Sequence, residues 1–372
     1  MKSLSPQQSV YQADNFRGQN TFPRHVNVPA KILFTNEAFY FERDGISVTP
    51  PVGLDTVPIL VHTRNLTEWV RYQIGKVAYG LIEKPSNLRV HAWHQRSASL
   101  PSSIYYDAAG KPYSCVNLKG VGNILCNKDG VWCLDNAGGL PSATGPWGYV
   151  LEKYACTDVE MTERFYTLGI HSHRVIAHLR PEYVFCRGSF LSPEEFSRRY
   201  SQGSLPLIQL RAFTVPTRLL ELEPSPYIAP QHARALLNEA WAMINLHTGH
   251  ELETDDEYIV YLVRTVARQV ALMHAQGYVH NFLSGHNITL DGGLVDLDGV
   301  KWYHNQNEAK FIQRTNEDCI TAVCTLSWFL NYYPLPLSRR IDIEKLFTET
   351  YQQRKKAIIE RGKASNLLPR TT

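Results

Sequence analysis

Three residues in the last third of the chain have types and spacing suited to a metal-bound phosphate. In HNFLSGHNITLDGGLVDLDG, residues His280 to Gly299, Asn287 follows His280 by seven positions and Asp296 follows Asn287 by nine. An amide oxygen and a carboxylate brought close by a short hairpin suit octahedral magnesium, which keeps several waters and bridges to phosphate. A loop that also activates a hydroxyl carries an Asp two residues after such a His. Here that position is Phe282, which cannot accept a proton. The spacing predicts a metal site and leaves open whether another base serves it. A turn-forming Asn and a capping Asp are the purely structural alternative.

Cations for a phosphate lie further upstream. Lys119 in VNLKGVGN ends a β-like run and is followed by two glycines, so its amine can reach phosphate while the backbone stays slim. Asp158 and Glu163, five apart on the next helical stretch, are the acids that could orient Lys119, or they belong to a solvated helix face. Arg211 and Arg218 in LIQLRAFTVPTRLL are seven apart near the middle of the chain, and guanidinium forks grip phosphate oxygens in pairs.

Positioning these groups takes a sizeable core, and the chain has the means for one. It has 372 residues, 44% of them hydrophobic, and 38 Lys and Arg against 35 acids leave a net charge of +3. That balance gives no reason to expect nucleic acid or an anionic membrane as the partner. No stretch approaches the roughly 18 uninterrupted apolar residues of a membrane span, and the N-terminus has no apolar signal core, so a cytoplasmic protein is expected. Seven cysteines, widely spaced and without CxxC, read as buried thiols. His171 and His173 in GIHSHR have no carboxylate or Cys near in sequence to complete a metal set and read as a surface loop.

The texture of the chain changes once. Residues 1–60, rich in Pro, Asn and Gln, read as an N-terminal extension. Residues 61–215 alternate β-like runs (KVAYGLI, SCVNLKGVG, YVLEKYA, PLIQLRAF) with Gly-rich turns and one helix, expected to begin at Thr157 with a Thr157/Glu160 capping box and to end at Gly169. Residues 216–372 are helical. Thr254 and Glu257 form a second capping box, Ile259, Leu262, Val263, Val266, Val270 and Met273 make one apolar stripe, and Gly277 closes that helix. The loop with Asn287 follows, then a hairpin of ITL, a GG turn and LVDLD. The expected fold is α+β: a two-lobed, protein-kinase-like chain with a β-rich first lobe carrying one main helix and a helical second lobe.

Taken together, the segments resemble the selenoprotein O family, kinase-like proteins that bind ATP in a flipped orientation and transfer AMP to hydroxyls. QIGKVAYG is similar to the family's QLGDGRG, with Gly75 and Gly80 kept; VNLKGVG is similar to LKGAG, and WGYVLEKYACTDVEMTERFYTLGIHSHR to DGRAVLRSSIREF followed by LGIPTTR. The resemblance implies a phosphate-binding role for Lys119, nucleotide contacts at Gly75 and Gly148, and Asp158 in place of the helix glutamate. It also implies that Arg211 and Arg218 hold the deep phosphate, and that Asn287 and Asp296 hold magnesium, with manganese as a substitute. His286 falls where the family has the Asp that serves as general base. An imidazole, titrating near pH 6.5 when unperturbed, is chemically able to take a hydroxyl proton.

The resemblance covers residues 70–305 and departs from the family in its short C-terminal part, in Trp147 and in the altered phosphate loop. The expected function is a magnesium- and ATP-dependent transfer of AMP to a hydroxyl acceptor, protein or small molecule. Phosphoryl transfer by a kinase and a nucleotide-binding pseudokinase module are the alternatives.

Overall fold

The computed structural model describes short stretches between residues 24 and 121, and then residues 149–367 apart from 187–188, 202, 223–229 and 333–340. It divides into two compact units. The first takes the chain up to Val159, Arg174–Thr214 and Ser225–Ala229; the second takes Glu160–His173, Val215–Pro224 and Pro230–Thr372.

The first unit is built on an antiparallel sheet. Its strands include β1 (Arg24–Thr35), β2 (Thr56–Val61), β3 (Arg89–Val90), β4 (Ser97–Ser99), β5 (Cys115–Lys119), β6 (Val150–Leu151), β7 (Arg174–Pro181) and β8 (Pro206–Phe213). The spatial order is β2-β1-β7-β8-β5-β4-β3, with β6 added to β8. Strand β8, PLIQLRAF, is buried at all eight positions. It lies between β7 and β5 and is covered on both faces, which is why its sequence shows no simple alternation. Its two polar residues, Gln209 and Arg211, are thereby held in the interior.

Helix α1 (Glu152–Leu168) starts five residues earlier than the Thr157 capping box predicts. The Thr157 hydroxyl donates to the Lys153 carbonyl inside the helix, an alternative partner that removes it from capping duty. The first turn is instead tied to the sheet by an ion pair from Arg180 to Glu152 at 3.0 Å and by packing of Val150 and Ala155 on Leu207. The C-terminal end is as expected, with Gly169 at φ +75°. A short helix, α2 (Pro193–Tyr200), is capped by the Ser192 side chain accepting from the Glu195 amide.

The second unit holds α3 (Pro230–Thr248), α4 (Asp255–Ala275), α5 (Ala309–Tyr332) and α6 (Ile343–Leu367). Both halves of the Thr254/Glu257 capping box are formed, and the six stripe residues of α4 are all buried. Each such side chain contributes about 1.5–3 kcal/mol on burial. Gly277, at φ +82°, ends the helix where a Cβ would come within 2.8 Å of the Tyr303 carbonyl.

The hairpin after Asn287 is shorter than the sequence suggests. It is held by an isolated Ile288–Leu294 bridge, by Thr289 N donating to Gly293 O at 2.9 Å and by Val295 N donating to Asn287 O at 3.0 Å. Its second arm turns at Asp296 into a 3₁₀ turn, Leu297–Gly299.

Two expectations are corrected. Of the four described cysteines Cys115 is buried, whereas Cys156 and Cys324 are exposed on the outer faces of α1 and α5; all four are free thiols. GIHSHR is not a surface loop, because Ser172 and His173 are buried and the segment is paired to Leu294 of the hairpin. Among the described residues no helix is long and apolar enough to cross a membrane.

Candidate functional site

In the first unit the cations of the sequence reading share one face of the sheet. Lys119 pairs in register with Gln209, and Gln209 with His178, forming a row across β5, β8 and β7. Register partners project to the same face. Gln209 and His178 do touch, their side-chain nitrogens 3.3 Å apart. Arg211 stands two residues along β8 from Gln209, on the same face and diagonal to Lys119. It is 2% exposed, donates to Asn117 Oδ1 at 2.6 Å and lies 5.1 Å from the Phe213 ring centre. Lys119 itself is half-buried.

Asp158 is the helix acid that reaches this face. It is 1% exposed, and its charge acts on His178, two strands over from Lys119 and about 10 Å away at ~4.8 Å per strand. Burial lowers the His178 pKa to about 4, with Asp158 opposing the change. Glu163, the other candidate, is half-buried and falls in the second unit. Gly75 and Gly148 lie outside the described residues.

Gly120, directly after Lys119, has φ +100°, and a Cβ there would lie 2.4 Å from the Leu207 carbonyl. Only glycine lets the chain leave β5 so close to β8.

In the second unit the expected metal pair is held from several directions. Asn287 is 6% exposed, and its Nδ2 donates to the Phe282 carbonyl at 2.9 Å, which fixes the amide plane and turns Oδ1 away from that carbonyl. Asp296 occupies the left-handed region, φ 57° and ψ 60°, a costly backbone for a residue other than glycine and one that persists where the surroundings impose it. Arg218 Nη1 donates to Asp296 Oδ2 at 3.0 Å and to the His286 carbonyl at 2.6 Å. Arg218 is itself fastened by its bridge to Thr289 and by Leu219 N donating to Ile288 O. His286 is half-buried. Phe282 is 60% exposed.

Two supports escaped the sequence reading. Asp318 of α5, 1% exposed, accepts from the amides of His280 at 2.7 Å and Asn281 at 2.9 Å, and stands 3.3 Å from His274 Nε2. Burial pushes the His280 imidazole below its ordinary pKa, and its Nε2 contacts the Val295 carbonyl at 3.0 Å, next to Asp296. The signal was present: Asp318 sits in the stripe of Phe311, Thr315, Ala322, Leu326 and Phe329, a charged residue in a core position.

The second support is Asp291, at the hairpin tip, whose Oδ2 meets His171 Nε2 at 2.7 Å. Burial raises its pKa, but the His171 charge and hydrogen bonds from His171, Thr289 and Gly293 outweigh this and leave it lowered. His171 and Asp291 are 120 residues apart, so no local pattern signals them.

The donor chemistry at Asn287 and Asp296 fits magnesium. One amide oxygen and one carboxylate, with the remaining positions left to water and phosphate, is the hard, oxygen-only set that small cation takes. No group of three or more His, Cys, Asp or Glu placed to hold a metal occurs among the described residues.

A strand lysine before a long helix, then a helix, a loop with His and Asn, and a hairpin ending in Asp, is the element order of a protein-kinase-like α+β fold. No protein-family model matches the chain, and no curated protein matches it. Among solved structures, WaaP in complex with acyl carrier protein is 14% identical with a TM-score of 0.30, covering 75% of this chain and 84% of that one. The Toxoplasma gondii specific rhoptry antigen kinase domain is 11% identical with a TM-score of 0.34, covering 70% and 72%. Neither likeness bears on activity.

Proposed function

We propose that this chain is a magnesium- and ATP-dependent transferase that moves AMP to a hydroxyl acceptor. The observation that carries the proposal is the Asn287–Asp296 pair, with its amide oriented by Phe282 O and its carboxylate held by Arg218. Magnesium bound there would neutralise charge on the phosphates of ATP. The resemblance assigns Lys119 and Arg211 to phosphate binding as well; within the first unit they share one sheet face, which Asp158 approaches. Arg218 holds the Asp296 carboxylate that would ligate magnesium. The acceptor oxygen would attack the α-phosphorus, its proton passing to the His286 imidazole, while the bond to pyrophosphate breaks. The AMP step draws its support from the resemblance to selenoprotein O.

Incubation with ATP labelled at the α- or the γ-phosphate tests the reaction. Label on an acceptor from the α-position only is the expected result; label from the γ-position only would establish phosphoryl transfer instead. His286→Ala should abolish transfer, and unchanged turnover would remove its role as base.

A second reading is favoured by Phe282 itself, 60% exposed where a protein kinase places its base. On that reading the chain binds nucleotide without transferring any part of it, so that ATP and magnesium raise the melting temperature while neither label moves.

A further inference from the structure

The second unit contains a cavity unrelated to the metal pair. It lies along the seam of α4 and α6, has a volume of about 320 Å³, and is lined by Arg264 and Arg268 from α4 and by Arg354 from α6. Arg264 and Arg268 are one turn apart and therefore point the same way. Among the described residues none of the three guanidinium groups forms an ion pair with a carboxylate. Glu349 is the one acid on the wall, against three cations. Thr350 and Gln353 add a hydroxyl and an amide, and Leu346 is the apolar residue of the lining.

We infer that this seam binds a compact ligand carrying clustered phosphate groups. The three guanidinium groups line one cavity with a single acid beside them, and guanidinium groups suit phosphate because each can donate two parallel hydrogen bonds. The volume is at the small end of ligand sites, which run from about 300 to 1,000 Å³. No aromatic side chain lines the wall, so a nucleobase has nothing to stack on, and the chemistry favours a polyphosphate or a phosphorylated polyol over a nucleotide.

The site also reaches the metal hairpin through α4. Thr265, between the two arginines, packs so closely on Gly292 that a Cβ there would come within 2.7 Å of its methyl, and Gln269, next to Arg268, accepts from the His171 amide at 2.9 Å. The inference does not depend on ATP use by the protein.

Calorimetric titration of the full chain with inositol hexakisphosphate, and separately with tripolyphosphate, tests it. Binding is expected that weakens as salt is raised and falls by about tenfold or more in an Arg268→Gln/Arg354→Gln double variant. Both positions are solvent-accessible, so the variant is expected to fold. Glu349→Gln should tighten binding, a direction that a structural role would not give. Lys356→Gln, an exposed residue of α6 outside the lining, should leave it unchanged. A sedimentation arm with vesicles of phosphatidylcholine, with and without phosphatidylinositol bisphosphate, separates the sources. Vesicle capture that the double variant loses assigns a lipid headgroup, and capture of the soluble anions alone assigns a free phosphate. No binding of any probe, or binding that the double variant retains in full, overturns the inference.

Discussion

Arg218 Nη1 bridges the carboxylate of Asp296 and the main-chain oxygen of His286, at 3.0 and 2.6 Å. One guanidinium thus fixes both the Asp296 carboxylate and the loop residue beside Asn287. The Arg218 side chain is 6% exposed and that of Asp296 19%, so little solvent screens the pair. Removing one member of a buried ion pair leaves an uncompensated charge. Arg218→Ala should therefore destabilise by about 2–3 kcal/mol and abolish magnesium-dependent nucleotide binding. Arg218→Lys should recover part of the stability, because the charge returns without the second hydrogen bond. Urea unfolding and calorimetry of the two variants check both statements.

Asp318 holds the turn before the Asn287 loop by accepting from two successive amides. Asp318→Asn replaces one acceptor with a donor that faces an N–H. The expected loss is about 1–3 kcal/mol, with faster amide exchange at His280 and Asn281 than elsewhere in the loop. Unchanged exchange at those two amides would show that Asp318 does not hold them.

Gly120→Ala should cost at least about 2 kcal/mol, from the positive φ together with a Cβ 2.4 Å from backbone oxygen. Neither strand can move alone, since β8 is the centre of the sheet. Because Lys119 is the preceding residue, ATP affinity should fall further than the loss of stability explains; comparing affinity and melting temperature in Gly120→Ala and in an unrelated, equally destabilised variant separates the two.

Three buried imidazoles, His178, His274 and His280, have their pKa values lowered by burial, His178 to about 4. With a folded value below the unfolded one, the unfolded chain takes up the proton first as pH falls. For each the contribution is complete above about pH 6.5 and is lost as pH falls below it, for His178 between about 6.5 and 4. For His178 alone that interval is of order 3 kcal/mol. Stability measured by urea should fall on acidification through this window, and His178→Gln should make the fall shallower. A stability that is flat from pH 7 to pH 4.5 would contradict the assignment.

Much of the second unit was legible because its signals are local. Thr254 and Glu257 are three residues apart, the stripe of α4 repeats at helical spacing, and Asn287 and Asp296 belong to one hairpin. Lys119 and Arg211 were legible as cations, but their shared face depends on a strand register that places residues 92 positions apart diagonally. The start of α1 was misread because Thr157 has a helical carbonyl as an alternative partner, while the true first turn is secured by Arg180. GIHSHR was misread for a similar reason: the acid that holds His171 is Asp291, and sequence spacing says nothing about a partner brought in by the fold.

The most direct test is calorimetric titration of a non-hydrolysable ATP analogue into the wild-type chain and into Asn287→Ala and Asp296→Asn, each with magnesium and with a chelator. The account predicts binding that requires magnesium in the wild type and is lost in both variants while their folds persist. Magnesium-independent binding in the wild type, or full binding by the two variants, would contradict it.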